Sequence, residues 1–296
     1  MPTDAAVRSC LVTGASTGIG EACARRLDGD GWRVFAGVRR PQDGERLRET
    51  IGPRIRPVAL DVTDGASIAE AARVVRQEVG GAGLSGLVNN AGIAVSGPLE
   101  FLPLDDVRRQ LEVNVVGQVA VTQAILPMLR EGDGRIVFMG SIAGRMAMPF
   151  LGPYAASKFA LEALTDSLRV ELQPWGLHVA LVEPGSIATP IWSKSKAAVD
   201  GLTARLPPDA GQRYGAAMGA LIKIAASAAN RGIPADVVAQ AVAHALSSDR
   251  PRTRYVIGTD ARIRARLAPF LPDRLRDLLI TRITGIPKRN DYRKER

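Results

Sequence analysis

Tyr154 and Lys158 stand four residues apart in the run Gly152-Pro153-Tyr154-Ala155-Ala156-Ser157-Lys158, and Tyr154 follows Ser141 by thirteen residues. On a helix, positions i and i+4 lie on one face. The phenol and the ammonium would therefore be neighbours, with a serine hydroxyl arriving from an earlier segment. Tyrosine titrates near pH ~10, too high for easy proton exchange at neutrality, and an adjacent positive charge is expected to pull that value down. Such a group suits the interconversion of an alcohol and a carbonyl.

A second constellation opens the chain. Ser9-Cys10-Leu11-Val12-Thr13 reads as a strand leading into Gly14-Ala15-Ser16-Thr17-Gly18-Ile19-Gly20 and then a helix. Glycines permit a tight turn and close backbone approach, and the helix start offers N–H groups to a pyrophosphate. Gly14, Ser16, Thr17, Gly18 and Ile19 are the candidate contacts. The spacing is not that of the usual dinucleotide fingerprint, and no Lys-Ser/Thr pair follows the last glycine, which excludes a P-loop. The next strand ends Val38-Arg39-Arg40, with no acid until Asp43. An acid there would bind a ribose 2′-hydroxyl, whereas arginine accommodates a 2′-phosphate. Arg39 therefore favours NADP(H), with NAD(H) as the alternative. Asp61 and Val62 follow the third strand, where Asp61 can reach the adenine edge or cap the next helix. Asn90, Ala91 and Gly92 end the fourth, beside the cofactor's path or as a structural turn.

The elements that must position these groups alternate between short apolar runs and longer helical stretches, the pattern of βαβ units. Strands are expected at 9–13, 34–38, 55–60, 84–88, 135–139, 178–182 and 254–258. Helices are expected at 21–27, 66–79 (capped by Thr63 or Asp64), 104–129 with a break near Pro127, 154–173 and 235–246. The fold class is α/β: a doubly wound parallel sheet of about seven strands with helices on both faces, in one domain over 1–260. Residues 193–234 interrupt the alternation, and 261–296 form a basic amphipathic helical extension.

The net charge of +9 over 296 residues is a property of that extension. Residues 250–296 carry 14 Lys/Arg against 5 Asp/Glu, while residues 1–249 carry 25 of each. A nucleic-acid-binding core would carry its basic excess on the folded body, so nucleic acid is not expected as a partner. No continuous apolar run approaches the ~18 residues of a membrane span, and no signal organisation precedes the first strand. Cys10 and Cys23 read as buried free thiols of a reducing compartment, so a cytoplasmic protein is expected. His178 and His244 lack ligand-spaced partners, so no metal site is expected.

Thr13-Gly14-x3-Gly18-Ile19-Gly20, Asn89-Asn90-Ala91-Gly92, Asn114, Ser141, Tyr154-x3-Lys158 and Pro184-Gly185-x3-Thr189 occur in that order. Together they resemble the short-chain dehydrogenase/reductase family over about residues 8–260. The resemblance implies that Tyr154 exchanges the proton, Ser141 holds the substrate oxygen, and Lys158 lowers the tyrosine pKa and binds the nicotinamide ribose. It implies that Asn114 holds a relay water, and that Pro184, Gly185, Ile187 and Thr189 line the nicotinamide. Segment 193–234 would cover the substrate.

The runs 34–39 and 183–191 are similar to the retinol dehydrogenase and 17β-hydroxysteroid dehydrogenase branch. With Met146, Phe150, Leu151, Trp192, Tyr214 and Met218 they point to a lipophilic alcohol or ketone; a generic small-ketone reductase is the alternative. The helices at 104–129 and 154–173 supply subunit contacts in relatives. Phe159, Leu161, Leu164, Leu168 and Leu172 surround the second, so a homodimer or homotetramer is expected. The tail is expected to pack on its own domain or a neighbouring subunit; peripheral membrane contact is the less favoured role. A cofactor sensor or scaffold without turnover would be expected to lack Ser141, Tyr154 or Lys158, and a dehydratase or epimerase would need a larger substrate domain.

Overall fold

Strand β1 (Ser9–Thr13) turns Cys10 and Val12 into one buried cluster and Leu11 into another, one on each side of the sheet. A strand covered on both faces reads as a continuous apolar run, the mark of a parallel sheet between helices. The computed structural model describes residues 7–189, 210, 211, 213–215, 217–220, 222 and 232–286. Seven strands form one sheet: β1, β2 (Arg33–Val38), β3 (Ile55–Ala59), β4 (Gly86–Asn89), β5 (Arg135–Met139), β6 (His178–Pro184) and β7 (Arg254–Ile257). All pairings are parallel, in the order β3-β2-β1-β4-β5-β6-β7.

The helices are α1 (Gly18–Gly29), α2 (Pro41–Ile51), α3 (Gly65–Val79), α4 (Leu104–Leu111), α5 (Gly117–Glu131), α6 (Gly152–Glu171), α7 (Ala235–Ser247), α8 (Thr259–Leu267) and α9 (Asp273–Thr284). Leu27 of α1, Leu47 of α2 and Val242 of α7 pack on the face that holds Val12 and Val137. Val75 of α3, Ile125 of α5 and Leu161 of α6 pack on the face that holds Leu11 and Ile136. This is the doubly wound, Rossmann-type architecture.

Several boundaries differ from the sequence expectation. Helix α2 was not anticipated; its signals are Pro41 in the first turn, where the missing N–H costs nothing, and Arg48–Glu45 one turn apart. The break in the 104–131 stretch lies at a π-helical turn, Glu112–Val116, and not at Pro127. Proline removes only the bond to the Gln123 carbonyl, and Gln123 and Pro127 are both exposed, so the loss falls on the solvent-facing side of the helix. The whole stretch Leu104–Glu131 is 28 residues long and apolar enough on average to cross a membrane. Here Val121, Ile125, Met128 and Leu129 bury its apolar face on the sheet.

Of the residues expected around α6 for subunit contact, Leu161 and Leu172 are buried and Leu168 packs on the same core, which accounts for that surplus of apolar groups; Phe159 is exposed. The tail is two helices rather than one, parted by a short turn before Pro272. Asp64, not Thr63, caps α3 by accepting from the Ala66 N–H at 2.9 Å.

Leu129→Ala should destabilise the protein by about 2–5 kcal/mol, read from urea unfolding. A loss under about 1 kcal/mol would mean that this face is not the load-carrying core.

Candidate active site

In an open parallel sheet the ligand crevice forms at the carboxyl ends of the strands where the strand order reverses. Here that point lies between β1 and β4. Thr13 ends β1, and its hydroxyl accepts from the Asn90 and Ala91 N–H groups, each at 2.9 Å. The Asn90 amide donates back to the Thr13 and Gly14 carbonyls at 3.0 and 3.1 Å. Gly14 has φ +62°, and a Cβ there would lie 2.9 Å from Ala91 Cα. A Cβ on Gly20 would collide with the Gly14 carbonyl and sit 2.6 Å from Asn90 Nδ2. The glycine turn is thus pressed against the end of β4, and the start of α1 opens toward the crevice. Asn90 acts as a clamp on that turn; its amide hydrogens are committed there.

Ser16, Thr17, Gly18 and Ile19 form the turn into α1, with Thr17 exposed and Ile19 partly packed on the core. Arg46, from α2, holds the Ser16 carbonyl at 2.6 Å and Glu21 at 3.1 Å. Arg40 forms a two-pronged pair with Asp43 at 2.9 and 3.0 Å. Arg39 is exposed and has no hydrogen-bond partner among the described residues. Its charge acts on Asp61, whose carboxyl is held below the usual range, first by the Thr63 backbone N–H and last by Arg39. Asp61 Oδ1 takes both the N–H and the hydroxyl of Thr63, at 3.0 and 2.7 Å. Val62 is buried in the core. The glycine cradle suits the pyrophosphate of a dinucleotide.

At the far side of the crevice, Pro184 ends β6 and Gly185 donates to the Ile257 carbonyl at 2.9 Å. Ile187 is buried in the core and bridged to Ile233, so its side chain is taken up by core packing. Only its backbone remains to meet a ligand, while Thr189 is half-buried.

Ser141 follows β5 and caps a short turn, its hydroxyl accepting from the Ala143 N–H at 3.1 Å. Tyr154 lies in the first turn of α6, with the Ser141 hydroxyl near enough to act on its phenol. Lys158 is buried, 4% exposed, with Nζ donating to the Met139 carbonyl at 2.7 Å and lying 5.6 Å from the Tyr154 ring centre. The three expected groups therefore converge. The expected acidification of Tyr154 by Lys158 is not found in the cofactor-free protein. Burial pushes the phenol up, and the nearby Ser141 hydroxyl offsets only part of that rise. The same burial pushes the Lys158 ammonium down to about 8, which weakens it as a fixed charge.

Asn114, fully buried in the π-turn, accepts from the Ile93 N–H at 2.9 Å and donates to the Ile93 carbonyl and to Ser157 Oγ, both at 3.1 Å. Both amide hydrogens are used, so Nδ2 has no donor left for a relay water. Ser157 in turn donates to the Tyr154 carbonyl at 2.7 Å, so Asn114 braces α6 directly beneath the tyrosine.

A family model described as short chain dehydrogenase matches residues 8–200. The chain belongs to the short-chain dehydrogenase family. It is 38% identical over 283 residues to retinol dehydrogenase 5 of Mus musculus, covering 94% of this chain and 89% of that protein. It is 39% identical over 279 residues to 17-beta-hydroxysteroid dehydrogenase type 6 of Bos taurus, covering 92% and 87%. It is 35% identical over 276 residues to NADPH-dependent 3-dehydrocapnine reductase of Ornithobacterium rhinotracheale, covering 92% and 95%. The chain is an oxidoreductase of a family that acts on CH–OH groups with NAD or NADP.

Beside Asn114, which its motifs mark, the chain uses two residues that they do not, Gln110 and Gln118. Gln110, Asn114 and Gln118 are fully buried, and their side chains bind backbone groups of residues 91–95. Three amides at four-residue spacing, on one face of this stretch, were the available signal. Tyr214 donates to Glu100 at 2.7 Å and meets the edges of Phe101 and Phe150, joining its segment to the chain just before α6. Met218 is buried nearby in sequence, whereas Trp192 and most of 193–234 lie outside the described residues. His178 bonds the Arg252 carbonyl and His244 bonds the Tyr255 hydroxyl.

Lys158 gives a pH signature. Its folded value is about 8 against an ordinary 10.5, so between those values the unfolded chain binds more protons and stability rises with pH. Relative to Lys158→Met, the wild type should gain stability from pH ~8 to ~10.5 in denaturant unfolding; a constant difference would contradict this burial.

Proposed function

We propose that the chain is an NADP(H)-dependent oxidoreductase that interconverts a lipophilic primary or secondary alcohol with its aldehyde or ketone. The observation that carries this reading is the Tyr154–Ser141 hydroxyl pair beside a buried Lys158 at the end of β5. The nicotinamide supplies hydride chemistry; the chain's own residues do the rest. Tyr154 moves the proton at the substrate oxygen, Ser141 holds that oxygen through its hydroxyl, and Lys158 adds positive charge behind the phenol. Pro184, Gly185, the Ile187 backbone and Thr189 flank the nicotinamide. Gly14, Ser16, Thr17, Gly18, Ile19, Ala91 and Gly92 hold the nucleotide, and Asp61 with Val62 meets the adenine.

Arg39 supports NADP(H) over NAD(H), because Arg40 and not Arg39 is taken up by Asp43. The name of the 3-dehydrocapnine relative, NADPH-dependent, agrees with that choice. A lipophilic substrate is supported by the retinol and steroid relatives and by the cluster of Phe101, Phe150 and Tyr214 rings, Phe150 lying four residues before Tyr154. We further read residues 1–260 as the catalytic domain and 261–296 as an extension. The protein is read as cytoplasmic, on its buried thiols Cys10 and Cys23, and as a homodimer or homotetramer through the exposed Phe159 and Val170 of α6.

Tyr154→Phe should lower kcat by about 10²–10⁴-fold with NADPH binding retained, in an absorbance assay on a panel of ketones. Undiminished turnover, or equal turnover of small polar and large apolar ketones by the wild type, would refute the site or the substrate class respectively. Arg39→Glu should weaken NADPH by about 10- to 100-fold and leave NADH affinity little changed in fluorescence titrations; a parallel loss of both would remove the 2′-phosphate role.

A further inference from the structure

We propose that Glu162 and Glu183 share one proton in the folded protein, and that this acid pair, gripped by Arg145 and Arg254, positions the Ser141 turn against α6 and the end of β6. Glu183 is fully buried, directly before Pro184-Gly185, and takes Arg145 through both its Nε and, at 2.9 Å, its Nη2. Glu162 lies one turn beyond Lys158 on α6. Its Oε2 takes Arg254, which also binds Asp166 at 2.6 Å and stands 3.8 Å from Glu183. The other oxygen, Glu162 Oε1, is buried and has no donor among the described residues. Arg145 Nε stands 3.9 Å from it, beyond hydrogen-bond distance.

An ionised oxygen left without a donor in a buried site is costly. Glu183 and Glu162 are brought together by the same two guanidiniums: Arg145 Nε holds Glu183 Oε1 and stands 3.9 Å from Glu162 Oε1, and Arg254 Nη1 holds Glu162 Oε2 and stands 3.8 Å from Glu183 Oε2. Two carboxylates in contact cannot both ionise cheaply, and one proton between them removes both penalties. The orphan oxygen becomes an O–H that can donate toward Glu183, whose two oxygens Arg145 continues to hold.

The surrounding charges leave this assignment intact. Asp166 is also held by Arg169 at 2.6 Å. From α8, Arg264 pairs with Asp260 at 3.6 Å and Arg262 reaches the Val256 carbonyl, so neither enters the cluster. Lys158 points the other way, to Met139. A groove of about 470 Å³, lined by Arg145, Phe159, Glu162, Asp166, Arg254 and Ala268 among others, connects the pair with solvent.

The pair reaches the active site through backbone. Arg145 closes the turn that Ser141 caps, and the preceding Gly144 packs so closely that a Cβ would lie 2.8 Å from the Lys158 carbonyl. Displacing Arg145 therefore moves the turn that holds Ser141. Burial, then Glu183, raises the Glu162 carboxyl from 4.5 to about 7. Because the folded state binds the extra proton, this contribution to stability is present below pH 4.5 and is lost as pH rises through about 7.

The proton itself is independent of the proposed function, whereas the effect on turnover rests on that reading. Infrared difference spectra of the full chain, wild type minus Glu162→Gln at pH ~6, should show a protonated carboxylic acid; its absence overturns the shared proton whatever the chain catalyses. Denaturant unfolding should show wild-type stability falling relative to Glu162→Gln from pH ~4.5 to ~8, and a constant difference overturns it equally. Arg145→Met should lower kcat by about 10- to 100-fold while the NADPH Kd stays within about twofold. Unchanged kcat with the acid band present would overturn the positioning role alone. Lost NADPH binding would overturn it too, by showing a broader structural effect.

Discussion

The buried ammonium of Lys158 is the constraint around which the site is arranged. It is 4% exposed and has the Met139 carbonyl as its hydrogen-bond acceptor at 2.7 Å. A charge taken out of water in this way is unfavourable unless its surroundings hold it there. That bond ties the end of β5 to the second turn of α6, which fixes Tyr154 one turn earlier and brings Ser141, two residues beyond Met139, against it. Moving any one of the three displaces the others.

Two polar assemblies keep that arrangement rigid. The chain leaving β4 runs under cover, where backbone groups need partners, and Gln110, Asn114 and Gln118 supply them from one helical stripe. Through Ser157 the same stripe reaches the Tyr154 carbonyl. On the opposite side of α6, the Glu162, Glu183, Arg145 and Arg254 cluster joins the Ser141 turn to β6 and β7. Groups that must hold a reacting atom in place are best carried by regular elements locked by such contacts. Here every catalytic candidate has one foot on a helix or at a strand end.

Much of this was legible in the residues. The strands emerged because each is an apolar run bounded by turn formers, and β5 and the start of β1 fall where the pattern places them. Ser141, Tyr154 and Lys158 were legible because i,i+4 geometry is local. Helix α2 was obscured because its eleven residues are mostly polar, with only Gly44 and Leu47 buried. The π-turn could not be read because its cause is tertiary: Asn114 turns inward to satisfy Ile93. The direction of the Tyr154 shift was misjudged for the same kind of reason, since spacing reports the neighbouring charge and not how deeply both groups are buried. The acid pair joins residues twenty-one apart in sequence and has no local signature at all.

The central claim is that Tyr154 is a buried proton exchanger whose acidity follows the positive charge placed beside it. Tyrosine labelled with ¹³C at the carbon bearing the hydroxyl, followed by NMR titration, tests it most directly. In the cofactor-free protein Tyr154 should titrate above the ordinary tyrosine value, and saturation with NADP⁺ should move it down, because the oxidised ring adds positive charge next to the phenol. A Tyr154 signal that titrates like an exposed tyrosine, or one that saturating NADP⁺ leaves unmoved, would contradict the account.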